Sequence, residues 1–119
     1  MSEFTYLFRG GLSSTGASPE QWQRQLEKWV AWFQELGAKG HIQDPRNPPG
    51  HPLEATGKVV QGNGKVVTDG PYAEAKDLVG GYLLVKADDL AHAVEISRGC
   101  PILDVGGSVE VRPVQILRP

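Results

Sequence analysis

Apolar and polar residues alternate from the start of the chain, with Phe4, Tyr6 and Phe8 on one side of a period of two and Thr5, Leu7 and Arg9 on the other. That spacing predicts a half-buried strand, stopped by Gly10-Gly11. Ser18-Pro19-Glu20-Gln21 then combines an N-cap serine, a proline at the first helical position and a glutamine placed to close a capping box, so a helix starts there. Trp22, Leu26, Trp29, Val30, Phe33 and Leu36 follow at three- and four-residue steps, the stripe of a helix that covers a sheet. Trp32 falls about 80° from the centre of that stripe, which predicts a place at its boundary, open to a subunit contact.

Gly37 and Gly40 bracket the helix end, and His41-Ile42-Gln43 reads as a short strand before a rigid, proline-rich surface loop, Asp44 to Pro52. Gly57 to Gln61 and Lys65 to Thr68 flank Gly62-Asn63-Gly64, the strongest hairpin signal in the chain. The polar stretch from Asp69 to Asp77 predicts a loop or single helical turn, and Val79 to Val85 a further strand. Asp88 or Asp89 caps a short second helix with Leu90, Ala93, Val94 and Ser97 on its apolar face, ended by Gly99 and Pro101. Ser108 to Ile116 closes the chain as a strand that Pro113 confines to an edge or a bulge.

Residues 1–119 thus read as a single α+β domain, and the element order fits a ferredoxin-like βαββαβ core with an inserted β-hairpin. Both helices then cover one sheet face. The other carries Leu7, Tyr82 and Leu84, too apolar a surface for a monomer to leave in water, which predicts a homodimer.

Composition removes several function classes. A net charge of −2 supplies no long-range attraction to nucleic acid or to an anionic membrane, and no stretch approaches the ~20 apolar residues of a membrane span. Cys100 is the only cysteine, so no intramolecular disulfide or cysteine metal cage forms within one chain, which suits a cytoplasmic location. It follows Gly99 at a helix end, where the dipole disfavours a thiolate, and reads as a packing residue. P-loop, nucleophile-elbow and dinucleotide patterns are missing, so no cofactor is expected.

Val67-Thr68-Asp69-Gly70-Pro71-Tyr72-Ala73-Glu74-Ala75-Lys76, followed by Gly80-Gly81-Tyr82, resembles the DGPF motif of the YCII-related proteins, with Tyr72 where the motif has phenylalanine. Gly107 to Pro113 resembles the C-terminal signature of the same family. The resemblance implies a bacterial protein whose ferredoxin-like fold dimerises into an α/β barrel. Many such relatives are encoded beside extracytoplasmic-function sigma factors, and the YciI-like ones are thought to carry a catalytic-looking His-Asp pair. No residue of this chain is matched to that pair.

Read from the residues themselves, Asp69 heads a turn, where its carboxylate either accepts backbone N–H bonds or serves as an acid or base in a cleft. His41 is the candidate to exchange a proton with it, the alternative being a lone surface histidine. Strand parity places Arg9, Tyr82, Glu110 and Arg112 on the uncovered face. With Tyr72 from the motif, they form a candidate wall for a small polar or anionic ligand; the competing reading is an Arg112–Glu110 or intersubunit ion pair. A zinc site would need His41, Asp44 and His51 to converge, and no metal is expected. Two functions follow: a dimeric small-molecule-binding domain, with acid/base chemistry at Asp69 and His41 if it is an enzyme, or a noncatalytic accessory protein that meets a sigma factor or other protein through the proline-rich loop and the Asp69–Asp77 segment.

Overall fold

The computed structural model describes residues 1–12, 16–71 and 77–117. Its elements are β1 (Ser2–Arg9), α1 (Pro19–Ala38), β2 (Gly50–Pro52), β3 (Lys58–Gln61), β4 (Val66–Asp69), β5 (Val79–Ala87), α2 (Leu90–Ser97), a 3-10 turn (Pro101–Val105) and β6 (Ser108–Pro113). The fold is α+β: a four-stranded antiparallel sheet in the order β2-β5-β1-β6, and a separate hairpin of β3 and β4. Central β1 runs against β5 from Ser2↔Ala87 to Phe8↔Gly81 and against β6 from Phe4↔Pro113 to Arg9↔Ser108.

This register sorts the sheet into two faces. Phe4, Tyr6 and Phe8 lie beside Leu83 and Val85 in the core, with Val109 and Val111 packed against it. The Tyr6 hydroxyl donates to the Ala93 carbonyl at 2.5 Å, fastening β1 to α2. Leu7, Tyr82 and Leu84, with Arg9, Glu110 and Arg112, occupy the opposite face.

α1 begins at the predicted capping box: the Gln21 N–H donates to the Ser18 hydroxyl and the Ser18 N–H to the Gln21 side chain. Its orientation corrects the boundary position expected for Trp32. That ring is 4% exposed, whereas Val30 is 58% and Leu26 42% exposed. Trp32 stacks on Tyr6 at 6.2 Å, and Gln25 is buried because its amide donates to the Pro101 carbonyl at 3.0 Å. Burying an indole removes more apolar surface from water than burying a valine, so α1 turns Trp32 inward and leaves Val30 outside.

The second strand also differs. His41–Gln43 forms a bend, and the edge strand beside β5 is Gly50–Pro52, within the segment expected to be only a loop. Proline lacks a ladder donor, which an edge strand tolerates. Gly50 is required there, since a Cβ would collide with the Tyr82 carbonyl oxygen. The His41 carbonyl still accepts from the Lys86 N–H at 2.8 Å, so this segment is tied to the sheet without joining its ladder.

β3 and β4 pair as predicted from Lys58↔Asp69 to Gln61↔Val66. Val60 and Val67 face each other across the hairpin and remain exposed. The radius of gyration is 16.0 Å. A compact chain of this length would have roughly 13.5 Å. The excess fits a hairpin that projects from the sheet rather than covering it.

Candidate functional site

A cavity of about 400 Å³ lies between the first half of α1 and the end of the sheet where β1 finishes and β5 begins. It exists because the backbone there lacks side chains. Gly81 stands opposite Phe8, Gly50 opposite Leu83, and Gly10 and Gly11 turn the chain away from β1 at φ of 72° and 94°. A Cβ on Gly81 would sit 3.2 Å from the His51 carbonyl oxygen, so glycine also lets β2 approach β5.

The walls are apolar and mutually braced. Trp22, Leu26, Trp29 and Phe33 contribute from α1, Phe8 from β1, and Ile102 from the 3-10 turn. Trp29 meets Phe8 and Trp32 edge-to-face at 5.3 and 5.7 Å, and Phe33 at a tilt at 5.7 Å. Among the described lining residues the polar ones are Gln25, His51 and Tyr82, and none is Asp, Glu, Lys or Arg. The arrangement suits retention of an organic molecule.

Comparison with protein families adds one finding: the model of the YCII-related domain matches residues 13–117. The chain belongs to this family. A comparison with curated proteins gives no match. Most of the cavity wall in this YCII-related protein, from Trp22 to Ile102, lies inside the matched span.

Four of the residues picked from the sequence do come together on the sheet face away from the helices. Leu7 lies between Tyr82 and Glu110, and Thr5 pairs with Arg112. The Arg9 guanidinium bonds the Glu110 carboxylate at 2.6 Å and donates through Nε to the Asp77 carbonyl at 3.1 Å, while Arg112 Nε stands 4.0 Å from Glu110. Arg9 is therefore already satisfied within the chain. At this exposure such a bridge contributes at most about 1 kcal/mol, so its clearest effect is on the alignment of β1 with β6. Tyr82 also meets His51 edge-on at 6.3 Å. Tyr72 lies outside the described residues, as does most of the Asp69–Asp77 segment.

The expected exchange between Asp69 and His41 is not formed. Asp69 pairs with Lys58 at 2.6 Å on the projecting hairpin, its side chain 94% exposed. His41 is buried behind α1; its Nδ1 lies 2.9 Å from the Lys86 carbonyl, which can only accept and so places the proton on Nδ1. Its ring instead meets His92 at 5.3 Å. His92 serves the start of α2, donating its N–H to Asp89 and accepting the Asp88 N–H at Nδ1. Among the described residues no group of three or more His, Cys, Asp or Glu side chains is placed to hold a metal.

Cys100 is buried, and burial pushes its thiol up to about 12, with the Asp104 charge adding and a backbone hydrogen bond at Ile102 opposing. The native protein is expected to resist iodoacetamide at pH 8 and to be alkylated once unfolded. Rapid native labelling would show that this end of the core opens.

The cavity escaped the sequence reading, although two signals bear on it. The stretch from Trp22 to Phe33 carries three tryptophans and a phenylalanine, more aromatic surface than a narrow core stripe needs. The paired glycines at 10–11 and 80–81 remove side chains from the facing sheet.

Proposed function

We propose that this YCII-related protein is a small-molecule-binding domain that works as a homodimer of ferredoxin-like units. The cavity carries the binding reading: about 400 Å³ bounded by apolar walls, within the ~300–1,000 Å³ range of small-molecule sites. The order β2-β5-β1-β6, with β1 parallel to β2 and β5 parallel to β6, supports the ferredoxin-like description. The sheet face away from the helices supports the assembly: its Leu7, Tyr82 and Leu84 are only partly buried, and a second copy seated on them would complete an α/β barrel. A standard interface of ~800 Å² per subunit suffices, and the Arg9–Glu110 pair at its margin would fix register.

Two measurements test the proposal separately. In a melting-temperature screen against a metabolite extract, a ligand at ~100 times its Kd should stabilise the native state by about 2.7 kcal/mol. For a domain of this size that is a rise of roughly 10 °C. Leu26→Trp, which narrows the cavity, should abolish the rise; equal shifts in both proteins would remove the cavity from the function. In sedimentation at micromolar concentration the wild type should run as a dimer and Leu84→Arg as a monomer, and a wild-type monomer would refute the assembly.

A further inference from the structure

Building on the cavity reading above, we propose that the site selects an uncharged, ring-bearing molecule and rejects anionic and cationic counterparts of the same shape. The described lining residues include Trp22, Trp29 and Phe33 and no Asp, Glu, Lys or Arg; their one imidazole, His51, pairs with Tyr82 and so belongs to the sheet face away from α1. An anion placed there would lose its hydration without meeting a cationic partner. Arg9, between the lining residues Phe8 and Gly10, is absent from the lining and held on Glu110 and Asp77. The Gln25 amide, the remaining buried donor, is bonded to the Pro101 carbonyl.

A cation would depend on exposed aromatic faces. Trp29 has its ring contacts occupied by Phe8, Trp32 and Phe33, at interplanar angles of 86°, 74° and 46°. These rings satisfy one another's quadrupoles and leave little face of Trp29 for an ammonium group, and no carboxylate stands among the described lining residues to pair with one. Size favours more than one ring: an apolar cavity of about 150 Å³ is enough for benzene, and this one is about 400 Å³.

The test uses three probes of one shape, 2-naphthol, 2-naphthoate and 2-naphthylmethylammonium, titrated calorimetrically at pH 7 into the wild type and Leu26→Lys. Leu26 lies on the exposed flank of α1, so the lysine should be accepted without loss of fold, checked by circular dichroism. In the wild type, naphthol should bind at least about tenfold more tightly than either ion, the difference coming from uncompensated desolvation. In Leu26→Lys, naphthoate should gain at least about tenfold over its wild-type affinity, because the ammonium supplies the missing partner. Either ion binding the wild type within about threefold of naphthol would overturn the charge selectivity while leaving the cavity reading intact. Failure of all three probes to bind the wild type would overturn both.

Discussion

Replacing Trp32 with alanine is expected to lower the unfolding free energy by about 3–5 kcal/mol, as removal of a buried indole does when its surroundings cannot close the void. Val30→Ala, two positions earlier on the same helix, should cost no more than about 0.5 kcal/mol. The contrast follows from their exposures, 4% against 58%. Trp32 is stacked on Tyr6 and touches both Trp29 and Phe33, so its loss opens the middle of the aromatic cluster. Gly99 reinforces the fit, since a Cβ there would come within 3.1 Å of the Trp32 indole nitrogen. Urea unfolding of both variants decides the matter. A Val30→Ala loss equal to that of Trp32→Ala would mean that α1 presents the opposite flank to the sheet, and the cavity walls assigned to Trp22, Leu26 and Trp29 would fall with it.

The same helix shows how far the chain could be read without its structure. Features set by neighbours in sequence were legible: the Ser18–Gln21 capping box, the Asp89 cap of α2, the turn of the β3–β4 hairpin and the alternation along β1. Parity alone also put Arg9, Tyr82, Glu110 and Arg112 on one face, because successive side chains in a strand point to opposite sides. The choice between Trp32 and Val30 was not local. It depends on Tyr6 lying beneath the helix, and an apolar stripe wide enough for both does not fix the rotation. β2 was hidden for a related reason: three residues among prolines become a strand only because β5 offers an edge with Gly81 opposite Pro52. The Asp69–His41 pairing failed because Asp69 belongs to a hairpin that leaves the sheet, while His41 faces inward at the far end of α1. The cavity is the hardest case, being composed of absent side chains on three separate segments of backbone.

Raising the pH from 9 to 12 is expected to destabilise the fold steeply, and two core residues account for it. Burial raises the Cys100 thiol from its ordinary 9.0 to about 12, with the Asp104 charge adding. Burial likewise drives the Tyr6 phenol well above its ordinary 10.0, with Cys100 adding. In the unfolded chain both groups ionise near their ordinary values, whereas in the native core both stay protonated. Over this window the unfolded state therefore releases protons that the native state retains, and stability falls as pH rises. The stabilisation is complete below pH 9 and is lost towards 12 for the thiol; the phenol adds its share above 10. Each group contributes a slope of about 1.4 kcal/mol per pH unit. The thiol alone thus removes about 4 kcal/mol by pH 12, a large part of the 5–15 kcal/mol typical of a domain. Urea midpoints measured at pH 8, 9, 10 and 11 should show the decline beginning near 9. In Cys100→Ala it should begin only near 10, and in Tyr6→Phe the steepening above 10 should vanish. Cys100→Ala keeping the wild-type slope between 9 and 10 would mean that the native thiol already ionises there, and hence that water reaches the core between Tyr6 and the 3-10 turn.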